Sequence, residues 1–448
     1  MQRFPIYAKM PVTHAASLPD AADVVVIGGG VIGVCTALYL ARQGQKTVLL
    51  EKGRIAAEQS SRNWGWIRQQ GRDPDELPIM VEANRLWREL AEQTNVDIGL
   101  RSCGVTYLAH DEKALQSYAE WLPYAKDHDL DSRLLTRAEV GTLIPDMSRK
   151  FAGALHTASD MRAEPWVAVP ALAGIAAREG AIVRENCAVR CLDISGGQVA
   201  GVITEEGRIR TDRVVLAGGA WSGLFLANHG VSLPQLSVRA TVAATHSLPA
   251  VHDGAAADRE VAFRRRADGG YTLAAGGFHE LFLGPAAFRH ASKYWAQLKS
   301  DPLGTRFLTM SPKGYPDGWG TTRRWDGAME TPFERMRVLN PRPNVAKVRA
   351  LTRQFHALFP RLPTPVISHA WAGMIDTMPD VVPVVDEVAS VPGLLLGTGM
   401  SGHGFGIGPG MGRILADLAC GRAPGHDLSR FRMSRFRDGS KMRLGPAL

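Results

Sequence analysis

Short unbroken apolar runs and stretches of helical spacing alternate along the first third of the chain, then give way to longer strand-like segments. Val24–Ile27 is apolar and β-branched at nearly every position, which predicts a strand buried on both faces of a parallel sheet. Val34–Gln43 has helical periodicity with Gly44 as its C-terminal cap, and Thr47–Leu50 reads as a second strand. Leu77–Thr94 predicts an amphipathic helix through Met80, Ala83, Leu86, Trp87 and Leu90. Val105–Ala109 reads as a strand and Glu112–His128 as a helix. Trp166–Glu179 predicts a helix after Pro165 that stops at Gly180, followed by a short strand at Ala181–Arg184. A hairpin follows, Ala188–Ile194 and Val199–Thr204 about Gly196-Gly197, and then an apolar strand at Val214–Ala217.

From about Leu236 to Leu362 the texture changes. Val238–Thr245, Val261–Arg266 and Tyr271–Ala275 predict an antiparallel sheet, the last two strands joined across Asp268-Gly269-Gly270. Ala286–Leu298 and Val345–Phe359 read as helices, Leu394–Gly397 as a last buried strand, and Met411–Cys420 as a final helix. The fold class is therefore α/β, or α+β overall.

At 448 residues the chain predicts two domains, or one large domain carrying an insertion. With 21% charged and 45% hydrophobic residues it is globular rather than disordered. The formal net charge of +8, with basic residues clustered from Arg430 to Arg443, reads as a solvated basic face, one that can also attract anionic substrates or a membrane surface. Nucleic-acid binding is the less economical reading of the same charge. The five cysteines have no metal-like spacing and imply a reduced, cytoplasmic protein without a metal site. No apolar run approaches the length of a membrane span. The first 22 residues lack the core of a signal peptide and read as a loose arm.

The chemistry is carried by glycines. Gly28, Gly30 and Gly33 follow the first strand in the spacing G-x-G-x-x-G, which permits a tight turn, a close approach of backbone to a pyrophosphate, and close helix–strand packing. Glu51 ends the second strand about 20 residues on, where a carboxylate accepts hydrogen bonds from a ribose. Strand, glycines, helix, strand and acid in this order predict a dinucleotide site, NAD or FAD. The loop Ser60–Gln70 places Trp64 and Trp66 among hydroxyls, amides, Arg62 and Arg68, a composition suited to lying against something flat. Paired small residues end the strand at Gly218-Gly219, and a glycine-studded turn runs from Thr398 to Pro409.

Four blocks together resemble the D-amino-acid-oxidase family of FAD-dependent oxidoreductases, which includes glycine and sarcosine oxidases and D-amino-acid dehydrogenases. They are the fingerprint at Gly28–Gly33, V-V-L-A-G-G-A-W-S at Val214–Ser222, W-A-G at Trp371–Gly373 with Pro379-Asp380, and G-H-G-F-G at Gly402–Gly406. The resemblance covers nearly all the chain after residue 22. It implies FAD rather than NAD, and a Rossmann-like FAD-binding domain assembled from 23–105, 152–235 and 366–448. A mostly antiparallel substrate domain from 106–151 and 236–365 would be inserted into it.

The same resemblance implies the cofactor contacts. Gly28, Gly30, Val31, Ile32 and Gly33 would form the turn on the dinucleotide, Glu51 would hold the adenosine ribose with Lys52 also among the cofactor contacts, and the Val189 backbone would meet the adenine. Ser60, Ser61, Arg62, Asn63, Trp64 and Gly65 would lie near the pyrophosphate and flavin, with Ala217, Gly218, Trp221, Gly373, Met374, Gly399 and Met400 around them. Gly402, His403, Gly404, Phe405, Gly406 and Ile407 would turn backbone N–H groups toward flavin N1 and the C2 carbonyl, where a helix N-terminus stabilises the charge of reduction. Some family members tether flavin through a cysteine in the substrate-domain half or a histidine in the loop after the second strand. This chain has neither, so non-covalent FAD is expected. Many members also follow the W-x-G block with arginine and proline, where this chain has Met374-Ile375-Asp376, an acid that could meet a cationic substrate group.

The reaction implied is oxidation of an amino acid or secondary amine at the carbon bearing the α-hydrogen, with hydride passing to flavin N5 and the imine hydrolysing in water. That demands positioning at about 3–3.5 Å rather than a catalytic triad. His403, Trp64, Asp376 and Arg68 are the candidates for substrate contact. A carboxylate would want a bidentate arginine, from among Arg62, Arg68, Arg239, Arg264 and Arg323. The electron acceptor would be oxygen or a quinone. Rival readings are a dehydrogenase of a hydroxy acid or opine, a flavoprotein of RNA modification, and a non-catalytic FAD-binding subunit.

Overall fold

The computed structural model describes residues 4–302 and 304–445. Strand β1 (Val24–Ile27), helix α1 (Val31–Arg42) and strand β2 (Thr47–Leu50) open the fold as a parallel βαβ unit. Helix α1 begins three positions earlier than its apolar spacing predicts, because Gly30 in extended conformation ends the turn and Gly33 already lies inside the helix. A six-stranded sheet grows around β1, adding Ile182–Arg184 beside β2 on one side. On the other side come Val214–Leu216, Leu394–Thr398 and, antiparallel at the edge, Val384–Glu387. Its four central strands are buried almost throughout, as the unbroken apolar runs require.

A second, ten-stranded and mostly antiparallel sheet is built on β3 (Leu236–Thr245) and β4 (Ile367–Thr377), which pair along nearly their whole length. Gly153–Thr157 and β4 belong to this sheet, although both fall in segments assigned from sequence to the FAD-binding domain. The chain thus crosses between sheets inside those segments, not at 152 and 366.

Two further helices frame the site: α2 (Leu77–Glu92) and α3 (Gly404–Ala419). Helix α3 starts seven residues before the predicted Met411, through a run of glycines and Pro409 that local propensity disfavours. Packing explains it. A Cβ at Gly408 would lie 2.5 Å from Val31, one at Gly412 2.4 Å from Cys35, and one at Gly410 2.8 Å from Ile79 O, so the bare backbone lets α3 seat against α1 and α2.

Three expectations are corrected. The segment Glu112–His128 is two helices, Glu112–Ala119 and Leu122–Asp127, because Pro123 lacks an N–H and can only enter at a first turn. In Ala286–Leu298 a 3-10 turn at Ala291–Tyr294 separates two short helices, and it carries the Tyr294 hydroxyl to Pro234 O (3.0 Å) and Thr377 O (2.7 Å). The N-terminal arm is not loose: Phe4 stacks on Trp166 at 4.3 Å, and Ala15 and Ala21 bridge to Arg184 and Arg210. Near the other end, the basic C-terminal cluster is only partly a solvated face, since Arg435 is 7% exposed and bonded to the buried Asp380 at 2.8 and 3.1 Å.

Candidate active site

One continuous cavity runs between the two sheets, lined by the glycine turn after β1, the end of β2, the loop after it, the Ala217–Gly219 turn, strands β3 and β4, and the turn that opens α3. Gly28 holds a φ of +111°, and a Cβ there would meet Ala217 O at 2.4 Å. Glu51 opens on the cavity and accepts from Gly29 N and Gly53 N, both at 2.7 Å. Burial pushes its carboxyl up to about 7. Ser60 Oγ accepts from Val31 N at 2.9 Å, the first N–H of α1. An acid at a strand end, a glycine turn and an open helix N-terminus are what a dinucleotide ribose and pyrophosphate require.

Twenty of the expected cofactor residues line this cavity: Gly28, Gly30, Val31, Ile32, Glu51, Lys52, Ser60, Arg62, Asn63, Trp64, Val189, Ala217, Gly218, Trp221, Gly373, Met400, Gly402, His403, Gly404 and Phe405. Seven do not, for physical reasons. Gly33 lies against Gly28 O, where a Cβ would come to 1.9 Å, and the Ser61 hydroxyl accepts from Ile6 N at 3.1 Å. Gly65 backs onto Ala163 O and Arg264, Gly399 onto Met378, and Gly406 onto Met80 and Ile67. Met374 points to the opposite face of β4 from Gly373 and Ile375, as strand alternation demands, and Ile407 is core.

The substrate candidates separate more sharply. Arg62 is spent on Ala57 O, Asn340 Oδ1 and Ala372 O. Arg264 forks onto Glu164 at 2.9 and 3.1 Å, Arg239 pairs with Glu280, and Arg323 with Asp317. Arg68 lines the cavity, with Nη1 on Gln70 O at 2.6 Å and its guanidinium 5.2 Å from the Tyr107 ring centroid. Asp376 reaches the cavity, but Oδ2 accepts from Gly399 N (2.7 Å), Gln235 Nε2 (3.2 Å) and Thr398 Oγ1 (3.2 Å). Its carboxylate therefore holds the turn before α3 instead of waiting for a substrate ammonium. Trp64 and Trp66 both line the cavity, edge to face with centroids 5.3 Å apart.

His403 lines the cavity at 3% exposure, its Nδ1 3.0 Å from Glu76 Oε2 and its Nε2 buried without a partner. Burial, then the charges of Arg72 and Arg68, drive its pKa well down, so the imidazole is neutral. Burial pushes Glu76 up to about 7. Sequence reasoning missed Glu76, Arg72 and Glu58. All three sit on irregular turns or helix ends where no periodicity marks a side chain as inward. Glu58 gathers Lys52 Nζ (2.7 Å), Trp221 Nε1 (3.0 Å) and Leu339 N (2.9 Å) at the cavity wall.

Residues 23–418 match the DAO family model, described as FAD dependent oxidoreductase. The chain belongs to this family. Its FAD-dependent oxidoreductase fold is a mixed α/β one, shared with L-amino acid deaminase from Proteus myxofaciens, solved in complex with anthranilate. The TM-score is 0.90 at 29% identity, covering 96% of this chain and 97% of that one. Sarcosine oxidase subunit beta of Rhizobium meliloti is 26% identical over 93% of this chain and 89% of its own length. Human mitochondrial sarcosine dehydrogenase is 27% identical over 94% of this chain, which spans only 42% of that protein. None of the five cysteines of this FAD-dependent oxidoreductase lines the cavity, and among the described residues no helix is long and apolar enough to cross a membrane.

Proposed function

We propose that the chain oxidises an amino acid or secondary amine with non-covalently held FAD. In this reading the six-stranded unit holds the cofactor and the ten-stranded sheet covers the substrate. One observation carries it: of the five arginines considered for a substrate carboxylate, Arg62 and Arg68 open on the cavity without an acid partner among the described residues, and while Arg62 is spent on carbonyls and Asn340, Arg68 beside His403 gives only Nη1 to Gln70 O. Glu51 would hold the adenosine ribose, the α1 N-terminus the pyrophosphate, and the first turn of α3 the flavin pyrimidine edge. When bound, the flavin supplies the hydride acceptor. Arg68 would grip the substrate carboxylate and so fix the C–H bond for transfer. His403, with Glu76 taking its Nδ1–H, presents a neutral Nε2 able to accept a hydrogen bond from the substrate nitrogen and so orient an amine that arrives uncharged. The relatives' names include both oxidases and dehydrogenases, and oxygen or a quinone would reoxidise the flavin. We also place the protein in the cytoplasm, in keeping with its five free cysteines.

Anaerobic flavin reduction against D-, L- and N-substituted amino acids and 2-hydroxy acids tests the reading. At least one amine is expected to bleach the flavin, and Arg68→Gln to weaken that substrate by roughly ten- to hundredfold through loss of a charge-assisted contact. Bleaching by hydroxy acids alone would overturn it.

A further inference from the structure

Buried arginines in this fold spend their guanidiniums on acids or carbonyls: Arg264 forks onto Glu164, Arg435 onto Asp380, and Arg62 donates to Ala57 O, Ala372 O and Asn340 Oδ1. Arg72 breaks the pattern. It is 4% exposed, lines the same cavity as Arg68, and its Nη1 is buried with no acceptor. Its Nε donates to Arg68 O at 3.2 Å, which sets the two residues side by side. Among the described residues neither guanidinium forms an ion pair. Glu76 faces His403, and Asp160 is taken by Gln69 N at 2.7 Å and Gln70 N at 3.3 Å. Burial, then the charge of Arg68, pushes Arg72 down to about 9, so at neutral pH it is still a cation; Glu76 and Asp160 favour it, but neither forms an ion pair with it among the described residues. A buried guanidinium without an ion pair and with an unpartnered Nη1 is costly, and an anion arriving with the ligand lowers that cost. His403 Nε2, buried and unpartnered at the same end of the cavity, adds no negative charge.

We propose that Arg72 forms a second carboxylate subsite beside Arg68, so that the substrate is an amine bearing two carboxylates: a dicarboxylic amino acid or an N-(carboxyalkyl) amino acid. This rests on the amine-oxidation reading above and narrows it. Arg68 takes the carboxylate next to the reacting carbon and Arg72 the distal one.

Anaerobic titration of the holoenzyme's flavin spectrum with matched pairs is the test. N-methylglycine is compared with N-(carboxymethyl)glycine, and norvaline with glutamate in both enantiomers. Wild type is expected to favour the dicarboxylate of at least one pair by roughly ten- to hundredfold, the worth of one guanidinium–carboxylate contact. Arg72→Gln should collapse that ratio to within about threefold. Arg72→Lys should restore part of it, keeping the charge but not the planar fork. A wild-type ratio near one, with monocarboxylates bound, overturns the second subsite while leaving amine oxidation standing. An Arg72→Gln protein that weakens both members of a pair equally does the same, since Arg72 would then be a second grip on a single carboxylate. If no amine in either experiment perturbs the flavin, the amine reading falls and takes this inference with it. The wild-type ratio needs no substitution, so a variant that fails to hold flavin does not blunt the test.

Discussion

Glu51 shows how a single side chain couples cofactor binding to pH. Its carboxyl is raised to about 7 by burial, and both oxygens already accept backbone N–H groups of the glycine turn and of Gly53. Ribose hydroxyls donate, so they favour the ionised form. The raised folded-state pKa means the group is still protonated below about 7, and FAD must bind there against a neutral acid. FAD affinity of the apoprotein is therefore expected to rise with pH through that range, by up to about tenfold per unit on the acid side, with release of a proton. Glu51→Gln should bind FAD roughly ten- to hundredfold more weakly and flatten the dependence. Fluorescence titration of FAD at a series of pH values reads both. A pH-independent affinity in the unaltered protein would remove Glu51 from the ribose.

At the scale of elements, helix α3 is where local signals and the folded outcome part most clearly. Five glycines and a proline in its first nine residues argue against a helix, yet they let it close on α1 and α2. Gly412→Ala is expected to cost about 1–3 kcal/mol by overpacking, since a Cβ there would sit 2.4 Å from that of Cys35 and 2.7 Å from its carbonyl carbon. Thermal or urea unfolding of the holoenzyme measures it, and an unchanged midpoint would mean the helices can part freely. The opening βαβ unit was legible almost to the residue, because buried parallel strands leave no choice of face and the glycine spacing carries its own geometry. Strand β4 was not delimited in advance: its polar positions interrupt the apolar pattern because Asp376 is hydrogen-bonded to a turn of another element. The arginines divided for the same reason. Whether Arg264 or Arg68 is free depends on an acid a hundred residues away in the chain, as Glu164 is from Arg264, and no local pattern reports that.

Over the whole molecule, the chain is closed by the segment that follows α3. It returns to Asp380, just beyond β4, and sets Arg430 Nη1 at 2.9 Å and the Arg435 fork at 2.8 and 3.1 Å on that one buried carboxylate. Arg435 also donates to Val382 O at 2.7 Å and lies over the Phe436 ring, while Gly445 N donates to Asp380 O. A buried acid shared by two guanidiniums gains little over a well-packed apolar substitute, but removing the acid alone strands Arg435 and leaves Arg430 only Asp73 and Asp75, at 3.8 and 3.7 Å. Asp380→Asn is therefore expected to lose about 3–5 kcal/mol in urea unfolding. An Asp380→Asn/Arg435→Met double variant should recover part of that loss, because one stranded charge is gone. The latch also reaches the site electrostatically, since Arg430 stabilises and Asp380 opposes ionisation of Glu76, the partner of His403. In Asp380→Asn the Glu76 carboxyl should thus ionise at lower pH, and the acid limb of flavin reduction by a bleaching amine should move down with it. A variant that loses stability while keeping that limb in place would show the latch to be structural alone.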